Sequence, residues 1–96
     1  MLILITYDVN TSDAGGRRRL RQVAKACVAH GQRVQKSVFE CVLDAAQFKV
    51  FRHELMALID PEKDSLRFYM LGNKPQNKVE HVGAKPAYRA DDVLIM

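Results

Sequence analysis

Asp8 is the acidic residue whose setting most directly suggests chemistry, because it closes a nearly unbroken apolar run, Leu2-Ile3-Leu4-Ile5-Thr6-Tyr7. A carboxylate at the tip of a buried strand is costly without a partner, and such a tip is also a rigid mount for a ligand to a hard cation. Two readings follow from position alone: Asp8 caps the turn after the strand, or it ligates a metal. One carboxylate seldom holds a divalent ion by itself. A two-fold axis near the strand end would bring two copies of Asp8 together and build a paired-carboxylate site from symmetry. With no Cys or His cluster to offer softer ligands, that site suits Mg2+ or Mn2+, ions that activate water and stabilise charge on a phosphodiester. Asp8 is therefore the candidate metal ligand and the candidate catalytic residue.

The second feature is a concentration of cations. Arg17, Arg18, Arg19, Arg21, Lys25, Arg33 and Lys36 stand against only two acids, Asp8 and Asp13, in the first 36 positions, whereas the rest of the chain holds eight bases and nine acids. The formal charge of +4 thus comes from the first third. The arginines open a helix, where the macrodipole disfavours cations, so an anionic partner, phosphate above all, explains them better than helix stability does. The other reading is a solvated face partly paired with carboxylates. A surface that stacks bases on aromatic rings has little material here: the first strand offers Tyr7, and Ser37-Val38-Phe39-Glu40 offers Phe39.

Other chemistry-bearing residues carry less. His30, His53 and His81 show no metal-ligand spacing; His53 reads as helix surface, and His81 as a structurally satisfied strand residue or else a general base or phosphate contact. Cys27 and Cys41 form no C-x-x-C pair and lie among apolar residues, as buried thiols do. There is no Ser-His-Asp arrangement, phosphate-binding loop or dinucleotide fingerprint.

The elements that must position these residues follow from periodicity. Leu2 to Val9 reads as a strand buried on both faces. Ser12 or Asp13 caps a helix whose Leu20, Val23, Ala24, Cys27 and Val28 recur every three or four residues, with Gly31 as its stop. Arg33 to Leu43 is rich in Val and Phe but breaks its alternation near Lys36-Ser37-Val38, which predicts either a bulged strand or two short strands joined tightly. Asp44 and Gln47 form a capping box for a second helix marked by Phe48, Phe51, Leu55, Leu58 and Ile59 and ended by Asp60-Pro61. Leu66, Phe68 and Met70 alternate as a strand, closed by Gly72-Asn73-Lys74-Pro75.

That order, βαββαβ, predicts an α+β ferredoxin-like sandwich in which two helices cover one face of an antiparallel sheet. The strands are too apolar for the other face to stay wet, so a homodimer is expected. Beyond Pro75, a strand around Val79 to Val82 and the apolar end Val93-Leu94-Ile95-Met96 are expected to extend a sheet edge, with the segment from about 76 to 96 packing across the dimer. Tyr7, Ser37, Phe39, Val93, Leu94 and Ile95 are the expected supporting and interface residues. At 96 residues and 48% hydrophobic content, a single domain spanning 1–96 is expected. The cysteine usage and the short opening run suggest a cytoplasmic protein without an export signal or membrane anchor.

The stretches Ile5-Thr6-Tyr7-Asp8-Val9, Arg18-Arg19-Leu20-Arg21-Gln22-Val23-Ala24-Lys25 and Gln32-Arg33-Val34-Gln35-Lys36-Ser37-Val38-Phe39-Glu40 together resemble the Cas2 family of CRISPR-associated proteins, over nearly the whole chain. Asp60-Pro61, Asp64 to Tyr69 and Val79 to Gly83 resemble the branch that accompanies type I-C systems. The resemblance implies a ferredoxin-like homodimer in which the two copies of Asp8 face each other and share Mg2+. It implies two activities: metal-dependent endonuclease action on single-stranded RNA or double-stranded DNA, and a spacer-acquisition scaffold that bridges copies of the Cas1 integrase and cradles incoming DNA. Asp8 matches the metal position, and the cluster from Arg17 to Lys25 matches the nucleic-acid-facing arginines. One carboxylate per subunit with no evident general base is sparse for hydrolysis, which favours the scaffold. A small regulatory dimer without nuclease activity is the remaining alternative.

Overall fold

Five strands and two helices make up residues 1–71 and 78–83, which the computed structural model describes. β1 (Leu2–Asp8) lies at the centre of the sheet, antiparallel to β3 (Val38–Val42) on one side and to β4 (Ser65–Met70) on the other. β2 (Gly31–Gln35) pairs with β3 at one edge, and β5 (Lys78–Gly83) with β4 at the other, giving the order β2-β3-β1-β4-β5. This is the expected α+β ferredoxin-like arrangement with one added strand. The strand foreseen around Val79 to Val82 forms and pairs antiparallel with β4. The expectation that Val93 to Met96 cross a dimer lies outside the described residues.

Strand alternation sorts the sheet into two faces. Ile3, Ile5, Tyr7, Phe39, Cys41, Leu66 and Phe68 form the core with α1 (Ala14–Val28) and α2 (Ala45–Leu58), which contribute Leu20, Val23, Ala24, Cys27, Phe51 and Leu55. Each large side chain so buried stabilises the fold by roughly 1.5–3 kcal/mol. The opposite face carries Leu2, Leu4, Thr6 and Asp8 from β1, Val38, Glu40 and Val42 from β3, and Ser65, Arg67 and Tyr69 from β4.

Local signals explain the boundaries. Asp13 caps α1 by accepting from the Gly15 amide at 3.0 Å, while Ser12 turns back onto Asn10. Asp44 and Gln47 complete the expected capping box of α2. Between β2 and β3 the two expectations merge, since two strands meet at a Lys36-Ser37 turn and the register slips between Arg33 and Gln35. One expectation is corrected: Gly31 does not stop α1, which ends at Val28 with Ala29 still in a right-handed conformation. Gly31 instead opens β2, where a Cβ would come within 1.8 Å of the Glu40 carbonyl oxygen, so close strand pairing requires the glycine.

Candidate functional site

Asp8 ends the central strand on the face opposite the helices, next to Ser65 in the β4 register, and its side chain is exposed. Exposure changes the argument made from sequence, because the carboxylate is not desolvated at the tip of a buried strand. Its mounting remains rigid. The Tyr7 amide donates to the Ser37 carbonyl at 2.9 Å, and Tyr7 is itself 1% exposed. Tyr7 and Phe39 therefore support the strand end from inside the core rather than presenting a surface to a partner. Among the described residues no three His, Cys, Asp or Glu side chains converge as a metal cluster. The oxygen of Asp8 fits a hard cation such as Mg2+, but one chain supplies a single carboxylate, so the fit requires a second copy.

The buried acid is Asp64, at 0% exposure in the turn between α2 and β4. It accepts from the Tyr7 hydroxyl, from Arg19 Nε at 2.8 Å and Nη2 at 3.2 Å, and from the Asp60 amide at 3.0 Å. Burial raises the carboxyl, yet the hydrogen bonds from Arg19, Tyr7 and Asp60 outweigh it and hold Asp64 below the usual carboxylate range. Burial and the bond to Asp64 push the Tyr7 hydroxyl well above the ordinary phenol value. The bond to Asp64 likewise raises Arg19.

This divides the cationic run. Arg19 is bidentate on Asp64 through Nε and Nη2, with its side chain 18% exposed. Arg17 is exposed and donates to the Thr11 carbonyl at 3.0 Å, bracing the loop before α1. Arg33 donates to the Lys36 carbonyl from Nε at 2.8 Å and from Nη2, and its guanidinium lies 5.6 Å from the Phe39 ring centre. Arg18, Arg21 and Lys25 are exposed, make no ion pair among the described residues, and line an open groove with Gln22, Ala24, Val28 and Arg33. Their spacing of three to four residues puts them on one side of α1. Lys36 is exposed in the adjacent turn. The groove lies on the helix side of the sheet and Asp8 on the other, so one chain does not bring the two together.

Sequence reasoning missed Asp64, and also Arg67, which is 6% exposed in β4 beside Thr6. The signal available for Asp64 was an acid directly before an apolar strand, the mirror of Asp8 at the end of one. His53 is exposed as expected, and the His30 ring packs edge-on against Phe51 at 4.6 Å. The His81 side chain is outside what is described. Cys27 and Cys41 are buried free thiols, with Cys41 Sγ donating to the Cys27 carbonyl at 3.4 Å. No helix among the described residues is long and apolar enough to cross a membrane.

With that geometry established, comparison with known proteins is informative. The family model of CRISPR associated protein Cas2 matches residues 1–79. A CRISPR-associated endoribonuclease Cas2 of Nitratidesulfovibrio vulgaris is 60% identical over 96 residues, covering 100% of this chain and 94% of that protein. A CRISPR-associated endonuclease Cas2 of Halalkalibacterium halodurans is 61% identical over 95 residues, covering 99% of each. In three dimensions the chain superimposes on crystalline Streptococcus pyogenes Cas2 with a TM-score of 0.74 and 57% identity, over 75% of this chain and 87% of that one. A hypothetical protein from Thermus thermophilus aligns with a TM-score of 0.62 and 31% identity, over 80% and 96% of the two chains.

Proposed function

The chain belongs to the CRISPR-associated Cas2 family, and from that premise we propose that it serves CRISPR adaptation as a homodimeric scaffold that holds double-stranded DNA for the Cas1 integrase. The observation that carries this reading is the groove of Arg18, Arg21 and Lys25, whose charges have no carboxylate partner among the described residues and are spaced along one helix side. Such a surface recognises the phosphate backbone without reading sequence. It does so without help from Asp8, which lies on the opposite face of the sheet. Dimerisation is supported by the part of that same face that one chain leaves uncovered, where Leu2 and Val42 are exposed at 37% and 68% and Thr6, Val38 and Tyr69 are half-buried, while Leu4, Ser65 and Arg67 are already buried. Association through it would bring two copies of β1, and with them two copies of Asp8, toward one axis.

A second reading is metal-dependent phosphodiester cleavage, on single-stranded RNA or double-stranded DNA. It is supported by the exposed Asp8 on a rigid mount and by the two relatives named as an endoribonuclease and an endonuclease. Paired copies of Asp8 would hold Mg2+ or Mn2+, and the ion would supply the activated water. The likeness around Asp60 to Tyr69 supports a place beside type I-C systems. The experiment sets duplex-DNA binding beside Mg2+-dependent cleavage for purified wild type and Asp8→Ala. The scaffold reading expects binding that survives Asp8→Ala; cleavage that vanishes with Asp8 would establish the second activity, and loss of binding in Asp8→Ala would sink the separation of the two surfaces.

A further inference from the structure

We propose, resting on the reading of Asp8 as a metal ligand, that Arg19, Asp64 and Tyr7 form a clamp that positions the Asp8 end of β1, and that Arg19 is a positioning residue rather than a nucleic-acid contact. Asp64 is completely buried and gathers three elements: the hydroxyl of Tyr7 from β1, the Nε–Nη2 edge of the Arg19 guanidinium from α1, and the Asp60 amide that follows α2. Tyr7 is thereby held twice, at its hydroxyl by Asp64 and at its amide by the Ser37 carbonyl of the β2–β3 turn at 2.9 Å. Strand ends fray when nothing beyond the ladder holds them. Here the residue before Asp8 is tethered from both sides of the strand.

Tyr7 and Asp8 share one planar peptide and project to opposite faces, so a displacement of the backbone at Tyr7 carries the Asp8 carboxylate with it. In a site assembled from two copies that error enters twice, whereas productive ligand geometry tolerates only about 0.5 Å. The clamp also explains why an arginine stands at position 19. Its planar fork matches the two oxygens of a buried carboxylate, and an ammonium group cannot reproduce that pair of bonds. The Nε–Nη2 edge of Arg19 is taken by Asp64, whereas Arg21, two residues on and facing the groove side of α1, makes no ion pair among the described residues.

The test compares wild type, Tyr7→Phe, Arg19→Lys and Arg19→Ala with the groove control Arg21→Ala, all well below their melting points. Amide hydrogen exchange over residues 7–9, Mn2+ affinity by calorimetry, and the salt dependence of duplex-DNA binding are measured on each. The clamp predicts faster exchange at residues 7–9 but not at Ile3 to Ile5 in Tyr7→Phe and both Arg19 variants, and Mn2+ affinity lower by about 10-fold or more. It also predicts an unchanged salt slope for Arg19→Ala beside a slope smaller by about 0.9 for Arg21→Ala. Unaltered exchange at residues 7–9, or an Arg19→Ala slope that falls as the Arg21→Ala slope does, overturns the clamp. A wild type that does not bind Mn2+ defeats the metal reading of Asp8 instead, and the exchange and salt measurements still decide the clamp.

Discussion

Removing the carboxylate of Asp64 should be among the most destructive single changes in this chain. In Asp64→Ala the Tyr7 hydroxyl, buried with its residue at 1% exposure, loses its acceptor, and the Asp60 amide loses another. The Arg19 guanidinium is left beside the resulting void. Breaking a buried charged network by deleting one partner costs about 3–5 kcal/mol, against a total stability of about 5–14 kcal/mol for a chain of this length. At about 4–8 °C per kcal/mol, the melting temperature should fall by at least about 12 °C. Tyr7→Phe removes one donor and leaves Asp64 with Arg19 and the Asp60 amide, so it should cost about 1.5 kcal/mol. The pH dependence has a definite sign. Because Asp64 is held below its unfolded value, its contribution is complete above about pH 4 and is lost as pH falls through the folded value. Melts at one protein concentration, taken from neutral pH to below pH 4, should therefore show the gap between wild type and Asp64→Ala narrowing in acid. A variant that melts within a few degrees of wild type, or a gap that stays constant down to pH 2, would refute the argument.

Three further outcomes are expected. Replacing Arg18, Arg21 and Lys25 together by Ala should lower the slope of log affinity for duplex DNA against log salt by about 2.7, read by anisotropy titrations at several salt concentrations. Asp8→Asn removes the charge but keeps the shape of the side chain, so Mg2+ should no longer raise the melting temperature of the variant as it does that of wild type. Gly16→Ala would place a Cβ 1.8 Å from the Asn10 carbonyl oxygen, so α1 must shift away from the loop after β1; a loss of about 1–3 kcal/mol or more in denaturant melts is expected.

Much of the architecture was legible in the sequence because its signals are short-range. The alternation of Leu66, Phe68 and Met70, the three- and four-residue spacing from Leu20 to Val28, and the capping pair Asp44 and Gln47 each act within one element, and all three elements stand where those patterns put them. Gly31 was misread because helix stops and close strand approaches both select glycine, and only the Glu40 carbonyl facing it decides between them. The cationic run was legible as a composition and not as a surface. Arg19 and Arg21 are indistinguishable along the chain.

What the amino-acid sequence determined by itself was the set of elements, their order, the family resemblance and the placement of Asp8 at the end of the first strand. The tertiary structure alone decided which charges are engaged. Asp64 lies 45 residues beyond Arg19 and 57 beyond Tyr7, and neither separation leaves a trace in local periodicity. Only packing α1, β1 and the turn before β4 against one another removes water from that carboxylate, and a desolvated carboxylate must then be met by whatever donors the same packing brings within about 3 Å.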